Sequence, residues 1–262
     1  MIILKTIIVS DIHLGNPYSN WKLLDEFLKN NKCENLFLNG DIIDEHYLIQ
    51  NNKQLNKEEL EFLYKITNSK NSKYIIGNHE VFNHIIHSDG EFWDKYNVKV
   101  YDYFLYHPGV PYSWSRYYIS HGHKTIFRNP ITSNQRILNL IDCFIRFVAK
   151  IQKIHKGIIF QKGKLDVTEG VEFEILSNDS RKFFKTALKI VSGFKKKAKE
   201  YHMAYHADGI ICGHIHHPEI KYFKSKYIFT GKFPYLNSGD WLENNSVLVQ
   251  DIEGNWEIIK MN

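Results

Sequence analysis

Residues 7–15, IIVSDIHLG, join an apolar run of β-branched residues to an aspartate and a histidine two positions apart. Such a run indicates a buried β-strand, and the glycine that closes the stretch indicates a turn. The periodic segment at residues 20–30, NWKLLDEFLKN, predicts an amphipathic helix. A strand that ends in polar residues and leads into a helix is the unit from which α/β domains are built.

The same unit recurs along the first 80 residues. Residues 35–44, NLFLNGDIID, precede a helical pattern at residues 55–67, and residues 73–80, KYIIGNHE, follow that helix. Functional groups of α/β domains gather where the strands end. Each of these predicted strands ends in Asp, Asn or His, so the strand ends are the first indication of a functional site.

The rest of the chain adds strands on both sides of a region with a different composition. Strand patterns occur at residues 98–106 and 115–121, and several times within residues 208–260. Between them, residues 125–206 contain two long helical patterns rich in Lys, Ile and Phe. We therefore expect a single domain over residues 1–262, with residues 125–206 as a helical insertion.

Composition narrows the class of protein. A chain of 262 residues with 43% hydrophobic content is long enough to bury a large core. Its formal net charge of +5 is compatible with an anionic partner but too small to identify one. Three widely spaced cysteines favour a reducing cytoplasm over a disulfide framework or a Cys-based zinc site. No stretch has the roughly 18 uninterrupted apolar residues of a membrane span, so we expect a protein that is soluble or lies on a membrane surface.

Five short motifs carry the candidate site: DIH, GDIID, GNHE, SHGH and GHIH, in that order. Carboxylate, imidazole and amide oxygen together suit borderline divalent metals such as Mn²⁺, Fe²⁺ or Zn²⁺. Residues two apart in an extended segment point the same way, so the members of a D-x-H or H-x-H pair can reach one site. The side chains that these motifs contribute are Asp11, His13, Asp41, Asp44, Asn78, His79, His121, His214 and His216.

This ordered series resembles the calcineurin-like metallophosphoesterases. The resemblance implies an α/β fold, an α/β/β/α sandwich of two mixed β-sheets flanked by helices. It also implies two divalent metal ions, for which we expect Mn²⁺, with Fe²⁺ or Zn²⁺ as alternatives. The resemblance assigns one ion to Asp11, His13, Asp41 and His216 and the other to Asp41, Asn78, His121 and His214, with Asp41 bridging the two.

The resemblance also implies how the catalytic work is divided. His79 would face the scissile phosphate with Asn78 beside it, and Asp44 would orient His79. Two cations about 3.5–4 Å apart lower the pKa of a shared water and neutralise the oxygens on phosphorus, so the chemistry requires no side-chain nucleophile. His79 would then add a hydrogen bond or a proton to the leaving group.

Residues 211–218, ICGHIHHP, residues 235–249, YLNSGDWLENNSVLV, and the long insertion resemble the UDP-2,3-diacylglucosamine diphosphatase branch of lipid A synthesis. That resemblance implies cleavage of a lipid-linked nucleotide sugar to UMP and 2,3-diacylglucosamine 1-phosphate at the cytoplasmic face of the inner membrane. The insertion would act as a lid over the acyl chains. Asp240, Trp241 and Glu243 are candidates for contacts with the substrate or behind the metal ligands, and Phe144 and Phe147 for apolar contacts from the lid.

Several alternatives stay open. The dense apolar residues of 137–151 either cover acyl chains or pack on the main domain, and the Lys run at 195–199 either meets anionic lipid headgroups or is a solvated face. The same metal core also suits a phosphatase, a phosphodiesterase or a nuclease. We expect no nucleic-acid partner, because a nuclease would interleave Arg and aromatic residues along a groove. A third class is a binding scaffold that has lost catalysis, and the oligomeric state is open.

Overall fold

The computed structural model describes residues 2–80, 99–109, 115–123, 206–224 and 231–261. All of these belong to one unit, Met1–His123 together with Ala198–Asn262. The insertion expected at residues 125–206 lies outside the described residues except for residue 206. Its lid role and its candidate contacts, Phe144 and Phe147, therefore stay predictions.

Eleven strands and three helices follow one another in the described residues. In chain order they are β1 Ile2–Val9, α1 Trp21–Asn30, β2 Asn31–Asn39, α2 Glu45–Gln50, α3 Lys57–Thr67, β3 Ser72–Ile75, β4 Val100–Tyr101, β5 Phe104–Tyr106, β6 Tyr117–Ile119, β7 Gly209–Cys212, β8 Glu219–Lys224, β9 Lys232–Asn237, β10 Ser246–Gln250 and β11 Trp256–Lys260.

The first sheet has the strand order β11-β10-β1-β2-β3-β4. Its strands β1 to β4 are parallel, whereas β10 pairs antiparallel with both β1 and β11. Because parallel strands end at the same edge of a sheet, the residues that come after β1, β2 and β3 lie side by side. This edge receives the first three of the five motifs.

The second sheet has the strand order β5-β6-β7-β9-β8. Strands β6, β7 and β9 are parallel, and the outer strands β5 and β8 pair antiparallel with their neighbours. The last two motifs come directly after β6 and β7. Both sheets are mixed, which confirms the predicted fold class.

Alternation of side chains along β1 places the first sheet between two cores. Ile7 packs into a cluster that includes Leu24 of α1 and Phe62 of α3. Its neighbour Ile8 points the other way, into a cluster shared with Ile211 of the second sheet. Both isoleucines are fully buried, and burying such a side chain is worth about 1.5–3 kcal/mol.

The helices begin where the sequence supplies a cap. At the start of α3, the Asn56 side chain accepts a hydrogen bond from the backbone N–H of Glu59, and the Glu59 carboxylate accepts one from the backbone N–H of Asn56, a capping box. The short helix α2, which the sequence pattern did not predict, is capped by Asp44, whose carboxylate accepts a hydrogen bond from the Tyr47 N–H. None of the described helices has the length and hydropathy needed to cross a bilayer.

The segment predicted as one strand at residues 98–106 is divided between the two sheets. Strand β4 is the outer strand of the first sheet, and β5 is the outer strand of the second. Asp102 and Tyr103 lie between them, where the chain passes from one sheet to the other. An apolar, β-branched and aromatic run indicates extended backbone, but it carries no information about which sheet each part joins.

Candidate metal centre

The five motifs meet at one end of the two sheets, where three overlapping clusters of ligand atoms form. In each cluster the ligand atoms all lie within 4.8 Å of one another. The first and third clusters contain members of the two ligand sets that the family resemblance implies, and Asp41 stands in the second and third. The clusters are Asp11 with His13 and His216; His13 with Asp41 and His79; and Asp41 with His121 and His214.

Close contacts in these clusters pair a carboxylate with an imidazole or with a backbone N–H. Oδ1 of Asp11 lies 3.0 Å from Nε2 of His216, which joins a residue after β1 to one after β7. Oδ2 of Asp41 lies 3.1 Å from Nε2 of His121. The backbone N–H of His214 donates to Oδ2 of Asp11 at 3.0 Å. The site is therefore assembled from both sheets.

Several polar atoms of the predicted metal ligands are buried without a hydrogen-bond partner. They include the amide oxygen of Asn78 and Nε2 of His13. A buried polar atom with no partner costs about 1–3 kcal/mol, so a group of them is unfavourable unless something binds there. Their chemistry, with carboxylate, imidazole and amide oxygen but no thiolate, matches that of divalent metal sites. The residues present therefore fit divalent cations.

The backbone is also strained at this site. Eight non-glycine residues among those described have a positive φ, and five of them are predicted metal ligands. Such a conformation is rare outside glycine, and strained conformations of this kind cost on the order of 1–3 kcal/mol each and cluster at functional sites. The five are Asp11, His13, Asp41, His214 and His216, with φ between 47° and 64°.

Glycine allows two segments of the site to approach closely. A Cβ on Gly77 would overlap the carboxylate of Asp41, and a Cβ on Gly213 would overlap Oδ2 of Asp11. Neither glycine has a positive φ, so the requirement here is space and not backbone freedom. The chain can therefore place Asn78 directly beside Asp41, and His214 directly beside Asp11.

Asp44 holds two imidazoles at once. Its Oδ1 lies 2.9 Å from Nδ1 of His79, and its Oδ2 lies 3.3 Å from Nδ1 of His13. The Asn16 side chain donates to Oδ2 at 2.9 Å and fixes the carboxylate from the far side. Burial opposes ionisation of Asp44, but His13 and His79 outweigh it and hold the pKa of the carboxyl well below its usual range. An ionised Asp44 fixes the tautomer of both rings.

His79 reaches furthest toward solvent among the clustered imidazoles. Its side chain is 28% exposed, and Nε2, the nitrogen not held by Asp44, lies 3.9 Å from Oδ2 of Asp41. The ring packs between two others, those of His13 and His46, with centroid distances of 4.6 and 4.9 Å. The arrangement leaves Nε2 of His79 near Asp41 and unbound by Asp44, on a side chain that is partly exposed.

Glu80 organises the loop that carries Asp41. Its buried carboxylate accepts hydrogen bonds from the backbone N–H groups of Asp41, Ile42 and Gly77 and from the Tyr74 hydroxyl. Burial and the charge of Asp41 raise the pKa of Glu80 to about 7, although these donors favour the ionised form. The GNHE motif contained this residue, but spacing alone did not show that it binds the backbone of the preceding motif.

The histidines of the third cluster have opposite electrostatic environments. Burial favours the neutral ring of His121, but the carboxylates of Asp41 and Asp11 outweigh it and raise its pKa to about 10. Nδ1 of the same ring lies 2.8 Å from the Asn39 carbonyl oxygen, which fixes its orientation. Burial and the nearby His121 lower the pKa of His214 to about 3. In the metal-free chain at neutral pH, His121 is therefore protonated and His214 is neutral.

Cation binding is expected to release a proton at pH 7 and to strengthen as the pH rises. A metal ligand must be deprotonated, and the pKa of His121 lies above 7, so its proton must leave when a cation binds. One displaced proton makes the affinity rise by up to about tenfold per pH unit below that pKa. Calorimetric titration with Mn²⁺ in two buffers of different ionisation enthalpy measures the release. Binding without proton release would contradict the assignment of His121 as a ligand.

The candidates near the end of the chain do not all reach the site. The Trp241 side chain is fully buried in the core cluster of the first sheet, so in this structure it is not accessible to a substrate. Asp240 is also buried, 4.0 Å from Nδ1 of His216, and Glu243 is half-buried. Of the three, Glu243 alone is partly exposed, and Asp240 lies behind a predicted metal ligand.

The fold and the clustered carboxylates and imidazoles define an α/β protein with a candidate site for divalent metal. Residues 4–218 match the family model described as Calcineurin-like phosphoesterase. The chain belongs to that family, which implies a metal-dependent phosphoester hydrolase, and the Asp and His clusters form its candidate site for divalent metal. This agrees with the family that the motifs resemble.

Solved structures that match the chain along nearly its whole length share little sequence with it. A predicted phosphoesterase of Streptococcus pneumoniae is 12% identical, with 98% of each chain covered and a TM-score of 0.38. Vacuolar Protein Sorting 29 of Cryptosporidium parvum is 11% identical over 98% of this chain and 97% of its own, with a TM-score of 0.40. A dimetal phosphatase of Danio rerio is 11% identical over 97% and 95%, with a TM-score of 0.41. No curated protein matches the chain significantly.

Proposed function

We propose that the chain hydrolyses a phosphoric ester or pyrophosphate with two divalent cations, for which Mn²⁺ is the first candidate. The observation that carries the proposal is the convergence of predicted ligands from both sheets around Asp41. In this assignment Asp11, His13 and His216 complete one cation site with Asp41. Asn78, His121 and His214 complete the other with the same carboxylate. The buried atoms without partners and the left-handed backbone at five of these residues support it.

The chain's own groups divide the work around the reacting phosphate. Two cations held by these residues would supply Lewis acidity, which makes hydroxide available at neutral pH and neutralises the oxygens on phosphorus. His79 has Nε2 unbound by Asp44, which holds its other nitrogen, and this suits donation of a proton to the leaving group. Asn78 lies next to His79 in the chain, and its amide oxygen, which is buried without a hydrogen-bond partner, would serve as a ligand of the second cation site.

The substrate that we propose is UDP-2,3-diacylglucosamine, cleaved to UMP and 2,3-diacylglucosamine 1-phosphate. Support comes from the sequence of residues 211–218 and 235–249, which resembles that branch of the family, and from the apolar stretch at 137–151, which suits acyl chains. The lysines at 195–199 suit an anionic membrane surface, each contributing about 1 kcal/mol there. We accordingly propose a cytoplasmic protein that loads its substrate at the inner membrane.

The test is incubation of the protein with UDP-2,3-diacylglucosamine after chelation and reloading with Mn²⁺, Fe²⁺ or Zn²⁺ in parallel. Release of UMP, monitored by chromatography, is the expected result, with the highest rate in Mn²⁺. The matched control is Asp251→Asn, a turn residue between β10 and β11 outside the candidate site, which should retain the rate.

Absence of UMP alongside turnover of phosphopeptides or oligonucleotides would overturn the lipid substrate and leave the phosphoesterase assignment intact. Cation binding without hydrolysis of any of these substrates would instead identify a scaffold that has lost catalysis.

A further inference from the structure

The crossover loop, residues 238–245, runs from β9 of the second sheet to β10 of the first. Two of its polar groups are bonded to the backbone of predicted metal ligands. The N–H of Trp241 donates to the carbonyl of Asp11 at 3.0 Å, and the Asn244 side chain donates to the carbonyl of His216 at 2.8 Å. Asp11 comes after β1 and His216 after β7, so the loop connects two ligands that different sheets deliver.

Asp240 lies at the centre of this loop and is completely buried. Its Oδ1 accepts from the N–H groups of Leu242 and Glu243 at 2.9 and 2.6 Å, and its Oδ2 accepts from the Asn244 side chain. These bonds fix the carboxylate in one orientation. Asn244 thus contacts Asp240 and His216 together, and links the loop carboxylate to the ligand backbone.

The two nitrogens of the His216 ring face two different carboxylates. Nε2 lies 3.0 Å from Oδ1 of Asp11, on the side of the candidate cation site. Nδ1 is buried without a hydrogen-bond partner, and Oδ1 of Asp240 lies 4.0 Å from it. At that separation the attraction is electrostatic and not a hydrogen bond, and it favours the ring orientation that turns Nε2 toward Asp11. His216 also has a φ of 47°, a conformation that needs support from its surroundings.

We propose that Asp240 and Asn244 are positioning residues for His216, and that the crossover loop sets the affinity of the first cation site separately from that of the second. This inference rests on the cation pair of the proposed function. Of the ligands that belong to the second site alone, His121 is held by the Asn39 carbonyl and not by the crossover loop. When a histidine binds a metal through one ring nitrogen, loss of the group that orients the ring from its other side typically lowers metal affinity 10- to 100-fold. We expect an effect of this size.

The experiment is calorimetric titration of metal-free protein with Mn²⁺ alone. The unmodified chain should bind two equivalents. In Asp240→Asn, which keeps the shape of the side chain but removes its charge, one equivalent should bind about 10- to 100-fold more weakly while the other is retained. With two equivalents added, the electron paramagnetic resonance spectrum should change from that of a coupled Mn²⁺ pair toward that of a single bound ion plus free Mn²⁺.

Asp251→Asn is the matched control. Asp251 is also a turn aspartate, and it accepts from the backbone and side-chain N–H groups of Asn255 at 2.8 Å each. The Asp251→Asn variant should bind both equivalents of Mn²⁺ as tightly as the unmodified chain does. Circular dichroism and thermal melting of the metal-free variants report whether the loop change has disturbed the fold. If Asp240→Asn does not fold, Asn244→Ala decides the question, because it removes the bond to the His216 carbonyl and should weaken the same single equivalent.

Three results would overturn the inference. Two unchanged equivalents in folded Asp240→Asn or Asn244→Ala would show that the loop does not act on His216. Equal weakening of both equivalents would show a general structural role. An unmodified chain that binds no divalent cation would remove the proposed function and this inference with it, whereas the first two results leave the proposed function standing.

Discussion

A chain with Asp41→Asn is expected to bind Mn²⁺ more than about 100-fold more weakly at both sites and to lose hydrolytic activity with it. The asparagine has the same shape but no charge, and Asp41 belongs to clusters on both sides of the site. Its Oδ2 lies beside His121, and its Oδ1 accepts the His79 N–H at 2.8 Å. Removal of a residue that only supports a ligand typically lowers metal affinity 10- to 100-fold. The loss in Asp41→Asn should be larger, because Asp41 is itself a proposed ligand and is shared by both sites.

Calorimetric titration with Mn²⁺ and initial rates on the same protein measure this effect. Asp251→Asn provides the charge-matched control, since it also exchanges one carboxylate for an amide. Circular dichroism of the metal-free variant establishes that the sheets have formed. Retention of two tightly bound cations in Asp41→Asn would contradict the bridging role, and loss of only one would assign Asp41 to a single site.

Replacement of His79 by alanine is expected to slow turnover by about 10²- to 10⁴-fold while both cations remain bound. The ring is partly exposed, and in the ligand sets of the proposed function it binds neither cation. Inductively coupled plasma analysis of the purified variant checks the metal content, and initial rates check the turnover. Unchanged turnover would remove His79 from the reaction. Loss of one cation would instead make it a ligand, in line with the second cluster, His13 with Asp41 and His79.

The protonation of His79 in the metal-free chain is expected to depend on its two carboxylate neighbours. Burial lowers its pKa, but Asp41 and Asp44 outweigh burial and raise it to about 9 in the metal-free chain. A pKa raised above 7 means that the ring is protonated at neutral pH and loses its proton as the pH rises through about 9. Asp44→Asn removes one of the two charges, so NMR titration of the metal-free variant should show His79 losing its proton at a lower pH. A higher or unchanged pKa would contradict the pairing.

Much of the candidate site was predictable because it is built from strand ends. The apolar runs of β1, β2, β3 and β7 were recognisable in the sequence. Residues that follow parallel strands of one sheet lie at a common edge. Asp11, Asp41 and His214 therefore converge although more than 200 residues separate the first from the last. Asp11 and His13 are two residues apart, and this spacing predicted that their side chains point to the same side of an extended segment.

The residues that support the ligands were not predictable in the same way. Asn16 and Glu80 act through Asp44 and the backbone of Asp41, and such contacts depend on how separate loops approach each other in three dimensions. The burial of the Trp241 side chain was not predictable for the same reason. Its motif lies beside the site, but the tryptophan turns into the core cluster while its backbone N–H contacts Asp11. Sequence spacing gives the position of a residue along the chain but not the side to which it turns.

The division of the ligands between the sheets ties cation binding to the assembly of the fold. The first sheet supplies Asp11, His13, Asp41 and Asn78, and the second supplies His121, His214 and His216. In the proposed ligand sets, a complete coordination shell therefore requires that the two layers be docked in register. Cations that bind only this docked form stabilise it by mass action, by about 2.7 kcal/mol per site at a free concentration 100 times the dissociation constant. Metal supply would then govern the lifetime of the folded chain as well as its chemistry.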